Sequence, residues 1–246
     1  MNLFGLIGYP LTHSFSKRYF TEKFEREAIA DSRYELFEIK EAKEVLEVIN
    51  KNPNLKGLNV TIPHKETVMS FLDSIDEKAK AIGAVNVIKI ENNKRIGYNS
   101  DYYGFLESLK RFIGDRKIEK ALVLGTGGSS KAVCAALKEL KIIHQYVSRS
   151  KDGPHNSILY ADLNEAILHD HLLIINATPR GMYPKVDDAP EIPYAFLGSE
   201  HFLVDLVYNP EETTFMKRGA EMGAQTKNGL EMLHLQAEKA WEIWNS

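Results

Sequence analysis

Residues 121–133 read ALVLGTGGSSKAV. An apolar run ends at Gly125, two more glycines follow at Gly127 and Gly128, and a helical stretch through KAVCAALKEL begins at once. Strand, glycine turn and helix in that order commit the chain to a layered α/β architecture with a largely parallel sheet. The rest of the chain agrees. Strand-like runs (LFGLIGYP, YELFEI, GLNVTI, AVNVIKIENN, RIGYNS, then IIHQYVSRS, HLLIINATP, HFLVDLVY and AQTKNG) alternate with helical stretches. The helices expected are SKRYFTEKFEREAIA, EAKEVLEVINKN, HKETVMSFLDSIDEKAKAIG, YYGFLESLKRFI and the amphipathic GLEMLHLQAEKAWEIW. A second α/β unit begins near Asp101, and 246 residues leave room for two domains of ordinary size.

The glycine turn has the physics of an anion cradle. Gly127 and Gly128 let the backbone approach a pyrophosphate closely, and the N–H groups of the helix that opens at Ser129 face it. Ser130 stands where G-x-G-x-x-G has its third glycine, and a glycine-rich turn that holds no ligand would carry the same pattern. The next strand ends in Ser148, Arg149, Ser150 and Lys151. NAD sites commonly place a carboxylate there for the ribose hydroxyls. A guanidinium, two hydroxyls and an ammonium suit a 2′-phosphate instead, with Arg149 bidentate, so the pattern favours NADP(H) over a plain basic turn.

Composition removes several other classes. A formal net charge of −3 and the lack of a lysine- and arginine-rich run argue against nucleic acid as a partner. No apolar run is long enough for a membrane span, and MNLFGLIGYP lacks the basic lead of a signal peptide, so the expected location is the cytoplasm. Cys134, the single cysteine, reads as a small core residue. The histidines are scattered without ligand spacing, so no metal is expected, and His64 reads as a solvated or capping group.

The first half offers polar groups at strand ends, where open α/β sheets bind ligands. In GYPLTHSFS, Ser14 and Ser16 alternate with Phe15; two hydroxyls facing one way could hold a carboxylate, and a serine is equally a helix cap. GAVNVI puts Asn86 inside an apolar strand, where burial demands partners. IGYNSDYYGF places Asn99 and Asp101 at another strand end, where Asp101 could also cap the next helix. In NVTIPHK the apolar run stops at Pro63, and Lys65 follows two positions later.

Taken together, GYPLTHSFS, NVTIPHK, GAVN, GYNSDYYGF, LGTGGSSKAV, NATPRGM, DLVYNP and GLEMLHLQ stand in the order found in shikimate dehydrogenases. The chain resembles the NADP-dependent, monofunctional members of that family from Gly8 to Gln236. The resemblance implies reversible NADPH-dependent reduction of 3-dehydroshikimate to shikimate, on the route to chorismate and the aromatic amino acids. It implies an oxidoreductase of two α/β domains with an active-site cleft between them. Residues 1–101 would form the substrate-binding catalytic domain, completed by the C-terminal helix 229–246. Residues 102–228 would form the Rossmann-like NADP-binding domain.

By the same resemblance Lys65 and Asp101 are the catalytic pair, with the transferred proton assigned to neither. Ser14 and Ser16 match the serines on the substrate carboxylate. Thr61, Asn86 and Gln236 match groups around the ring hydroxyls, and Tyr208 lines the same pocket. Gly125, Gly127, Gly128, Ser129, Ser148, Arg149, Ser150 and Lys151 fall at the cofactor phosphates. Asn176, Ala177 and Thr178 end a strand beside the cofactor, and Leu206 and Gly229 match backbone positions near the nicotinamide. The expected partners are small molecules, and the expected state is a monomer or homodimer. Ser148-Arg149-Ser150 departs from the commoner Asn-Arg-Thr, Pro179 replaces a common serine, and Lys17 a usual proline. Two alternatives are a quinate/shikimate dehydrogenase using NAD or NADP, which an acidic residue in place of Arg149 would favour, and a non-catalytic dinucleotide-binding regulatory module, which has no need of Lys65 and Asp101.

Overall fold

The computed structural model describes residues 1–11, 14–150, 154 and 157–246. Lys151 lies outside the described residues. The chain divides into two compact units, Met1–Ser100 with Ala237–Ser246, and Asp101–Gln236.

The first unit runs β1 (Asn2–Gly8), α1 (Phe15–Arg26), β2 (Ser32–Glu38), α2 (Val45–Lys51), β3 (Leu55–Val60), β4 (Ser74–Ile75), α3 (Glu77–Ile82), β5 (Val87–Glu91) and β6 (Lys94–Tyr98). Its sheet has the order β2-β1-β3-β5-β6-β4. β1 runs parallel to β2 and β3, whereas β5 is antiparallel to both β3 and β6. Leu3, Phe4, Leu6 and Ile7 of β1 are all buried, as expected for a central strand covered on both faces. One face packs Leu3, Ile7, Leu58 and Ile88 against Val45, Val68 and Ala79. The other packs Phe4 and Leu6 against Phe20 and Phe24 of α1 and against Ala237, Ala240 and Trp244. Asn92 and Asn93, with φ of 50° and 61°, form the tight turn between β5 and β6.

Residues 64–83 depart from the single helix expected of them. A 3-10 turn over Thr67–Phe71 leads into β4, which pairs with β6, and α3 starts afresh after Asp76. The Asp76 carboxylate accepts from the N–H groups of Lys78 and Ala79, so a strong cap inside the stretch splits it.

The second unit contains α4 (Ser100–Ile113, from Asp101 on), β7 (Lys120–Leu124), α5 (Gly128–Glu139), β8 (Ile143–Ser148), β9 (Ser157–Leu159), α6 (Glu165–Asp170), β10 (Leu173–Asn176), β11 (Phe202–Asp205), α7 (Thr214–Glu221), β12 (Gln225–Lys227) and the first turns of α8 (Leu230–Asn245). Its strands are all parallel in the order β12-β11-β10-β7-β8-β9. The order reverses between β7 and β10, the switch point at which open α/β sheets bind ligands. Ala121–Leu124 and Leu173–Ile175 are wholly buried there.

Helix α8 is divided between the units, although all of 229–246 was expected in the first. Its early turns are held in the second unit: Glu231 takes bonds from Ser108, Arg111 and Lys227, and Gly104 lies hard against the Met232 carbonyl. From Ala237 onward its apolar face joins the core of the first unit.

Candidate active site

In the first unit the expected substrate residues gather where β1 and β3 end. The Thr61 N–H donates to the Ile7 carbonyl at 2.9 Å, and its methyl group lies against Gly8. Ser14 is the N-cap of α1, and its hydroxyl accepts from the Lys17 N–H at 3.3 Å. Ser16 stands in the first turn of α1.

The main chain around Lys65 is fixed from several sides, Pro63 being only one constraint. Tyr9 N–H donates to the Ile62 carbonyl at 3.1 Å, and His64 N–H to that of Thr61 at 3.0 Å. The Lys65 carbonyl accepts from the Val85 N–H at 2.7 Å. His64 is not the solvated group expected: it is 2% exposed, and its Nε2 donates to the Ile39 carbonyl at 2.8 Å. Its ring is an anchor driven into the core beside the lysine. Lys65 itself stays half-buried.

Asn86 finds its partners in Ser100, which is wholly buried. The Asn86 Nδ2 donates to Ser100 Oγ at 3.0 Å, and the Ser100 N–H donates back to Oδ1 at 2.6 Å. Asn99 donates to the Ala84 carbonyl at 2.9 Å. GAVN thus braces the end of β6 and the first residue of α4. Ser100 was not singled out in the sequence, because a serine after an asparagine carries no signal of burial. Asp101, the acidic residue of the first turn of α4, is buried and belongs to the second unit, as do Tyr208 and Gln236. Tyr208 is half-buried past the end of β11, and Gln236 is buried in α8 with Nε2 on the Leu233 carbonyl at 3.1 Å.

In the second unit the expected cofactor residues form one edge, the C-terminal ends of the strands. Four backbone bonds chain the strand exits together: Gly125 N–H to Val147, Ala177 to Leu124, Leu206 to Asn176, each at 3.0 Å, and Gly229 to Val207 at 3.1 Å. Gly125 has φ of 102°, and a Cβ there would come within 2.8 Å of the Thr178 methyl. A Cβ on Gly229 would stand 2.2 Å from the Leu206 carbonyl oxygen, which accounts for a glycine at that contact.

Helix α5 opens at this edge with Gly127 as its N-cap, no side-chain cap and no acidic residue in its first turn. Nothing lies within 4 Å of a Cβ placed on Gly127, so the positive end of the helix, at Gly128 and Ser129, is open to an anion. Ser130 fits in place of a third glycine because its buried hydroxyl donates to the Gly127 carbonyl at 2.6 Å. Arg149 and Ser150 are exposed past β8; the Ser150 N–H donates to Ser148 Oγ at 3.2 Å, and the Arg149 charge reaches the Tyr160 phenol. An open helix terminus after β7 and an exposed guanidinium past the end of the neighbouring β8 fit a phosphorylated dinucleotide.

A buried carboxylate supports this edge from beneath. Asp205 accepts from Asn176 Nδ2 and the Val207 N–H, each at 2.9 Å, and from the Thr213 hydroxyl at 2.6 Å. Asn176 Oδ1 in turn accepts from the Thr178 N–H and hydroxyl. Burial outweighs these three donors and raises the Asp205 carboxyl to about 6. In the sequence Asp205 was visible only as a letter of DLVYNP. Among the described residues no group of three or more His, Cys, Asp or Glu could hold a metal ion, and no helix is long and apolar enough to cross a membrane.

Known proteins match this arrangement over its whole length. A family model, the shikimate dehydrogenase substrate binding domain, matches residues 6–88. Shikimate dehydrogenase (NADP(+)) of Methanococcus aeolicus is 42% identical over 98% of this chain and 91% of its own. The crystal structure of shikimate dehydrogenase from Aquifex aeolicus is 34% identical, with a TM-score of 0.89 over 100% of this chain and 92% of that one. That of the Thermus thermophilus enzyme in complex with NADP(H) and shikimate is 28% identical, with a TM-score of 0.86 over 99% and 93%. Matched over nearly its full length at 42% identity, the chain belongs to the shikimate dehydrogenase family.

Proposed function

We propose that this protein is a cytoplasmic oxidoreductase, a monomer or homodimer, that reversibly reduces 3-dehydroshikimate to shikimate with NADPH in chorismate biosynthesis. The observation that carries the reading is the full-length likeness to an NADP(+) shikimate dehydrogenase at 42% identity. NADPH, when bound, supplies the hydride. Negative charge then develops on the substrate's carbonyl oxygen; the Lys65 ammonium stabilises it, and the Lys65–Asp101 pair, titrating as one unit, supplies the proton to that atom. Asp101 orients Lys65 and shares its proton. Ser14 and Ser16 hold the carboxylate, Thr61, Asn86 and Gln236 the ring hydroxyls, and Tyr208 closes the pocket wall. Gly125, Gly127, Gly128 and Ser129 take the pyrophosphate, Ala177, Thr178, Leu206 and Gly229 flank the nicotinamide side, and Ser148, Arg149, Ser150 and Lys151 read the 2′-phosphate.

The test is absorbance at the reduced-nicotinamide band with shikimate or quinate as substrate, and NADP or NAD as acceptor. Turnover with shikimate and NADP alone is the expected result. Equal rates with quinate or NAD would move the protein to the broader relative, and binding without turnover to a regulatory module. Arg149→Ala is expected to raise KM for NADP about tenfold or more, the loss of a charge-assisted contact, with NAD kinetics unchanged. Equal losses for both nucleotides would show that Arg149 does not read the phosphate.

A further inference from the structure

Gly104 is buried in the body of α4, and no positive φ accounts for it. Glycine is a poor helix former and alanine the best, so local preference argues against a glycine there. The neighbouring helix explains it. A Cβ on Gly104 would stand 2.6 Å from the Met232 carbonyl oxygen and 3.0 Å from both the N and the Cβ of Gln236. A carbonyl and the N–H four residues on are the two ends of one rung of an α-helix. Gly104 therefore receives, against its bare Cα, the very turn of α8 that carries Gln236.

The same seam continues along both helices. Gly104, Ser108 and Arg111 follow Asp101 at steps of three, four and three, so all four share one face of α4. Ser108 Oγ donates to Glu231 Oε2 and Arg111 Nη1 to Oε1, each at 3.0 Å, and Lys227 bonds the same carboxylate. The helices run antiparallel: as α4 advances from Gly104 to Arg111, its contacts on α8 step back from Gln236 to Glu231. Asp101 stands at the other end, about 4.5 Å along the axis from Gly104. The start of α8 is thus held at two points. Charge clamps it at Glu231, and close backbone contact at Gly104 sets how near Gln236 comes to α4.

Burial decides which helix would yield to a larger residue. Phe105, Leu106 and Leu109 fix α4 in the core, whereas residues 231–235 of α8 are half-buried or exposed. A methyl group at position 104 would meet backbone, which cannot turn aside as a side chain can. The α8 turn would have to move by roughly 1 Å to restore van der Waals separation.

We propose that Gly104 is a positioning residue: lacking a side chain, it seats Gln236 against α4 one turn from Asp101, and so sets the Gln236 amide for the substrate's ring hydroxyls. That role rests on the function read above, in which Gln236 meets those hydroxyls and Asp101 shares the proton of Lys65.

Gly104→Ala is expected to raise KM for shikimate about tenfold and to lower kcat, with KM for NADP unchanged. Gln236→Ala deletes the amide but keeps the backbone and Cβ that the new methyl group would strike. Adding Gly104→Ala to it should therefore cost nothing further in KM or kcat. Additive losses, a rise in KM for NADP, or an unaltered KM for shikimate in Gly104→Ala would each overturn the proposal. If Gln236→Ala leaves KM for shikimate unaltered in an active enzyme, the assignment of Gln236 falls and takes Gly104 with it. A wild-type protein that does not turn over shikimate sinks the functional reading itself. Should Gly104→Ala not fold, Glu231→Gln loosens the other attachment of the same turn. It should raise KM for shikimate about threefold, and by nothing more on top of Gln236→Ala; an unmoved KM overturns the inference.

Discussion

Lys65→Ala is expected to lower kcat by about 100- to 10,000-fold while leaving the affinity for NADP unchanged. The reasoning starts from charge. Hydride arrival at a carbonyl carbon leaves the electron pair on oxygen, and an ammonium held at hydrogen-bond distance stabilises that charge more than it stabilises the neutral ketone. Removing it should therefore cost kcat and kcat/KM alike, the signature of an interaction made in the transition state. The backbone anchors make the experiment clean. His64 buried on the Ile39 carbonyl and Val85 bonded to the Lys65 carbonyl do not depend on the Lys65 side chain. Lys65 is half-buried, so its truncation leaves no large cavity. The variant should remain folded, because those anchors hold its backbone. A variant that keeps nearly all of its kcat would remove Lys65 from the chemistry and return it to the surface lysines.

How much of this was legible in the sequence depended on whether the signal was local. The run ending at Gly125, the Asn92-Asn93 turn and the alternation of strands and helices are local, and each element formed close to where its pattern lay. Cys134 is buried in α5, as its apolar surroundings indicated. The failures share one cause. Residues 64–83 carry helix-forming composition, yet Ser74 and Ile75 pair with β6, and a strand partner lies outside any window read along the chain. β9, three residues long, is too short to show a period of two and is defined by its pairing with β8. Among the site residues the same division holds. Ser14, Lys65 and the glycine turn announce themselves by position in a motif. Tyr34 and Asn59 bond each other across 25 residues, and His64, Ser100 and Asp205 reach partners 25, 14 and 29 residues away; nothing near them in sequence marks them. They are the groups that hold the others in place.

Asp205→Asn should change the pH dependence of stability more than any other single conservative substitution in the second unit. The carboxyl is raised from 3.8 to about 6 because burial disfavours its charged form, in spite of three donors that favour it. Between those values the folded protein keeps a proton that the unfolded chain has released. Stability contributed by the protonated form is thus fully present below about pH 4, declines as pH rises to about 6, and is gone above. The buried charge costs on the order of 3 kcal/mol at neutral pH relative to the neutral acid. An amide at position 205 cannot ionise, and its oxygen can keep the bonds from Asn176 and Val207. Its nitrogen faces Thr213, whose hydroxyl must then turn away from it, a penalty that does not vary with pH. Relative to wild type, the variant should gain about 3 kcal/mol of unfolding free energy between about pH 4 and pH 8, whatever its offset. Urea titrations of both proteins across that range measure the difference, in which every other titrating group cancels. Parallel curves would mean that the three donors win after all, and that Asp205 is an ordinary ionised carboxylate beneath the cofactor edge.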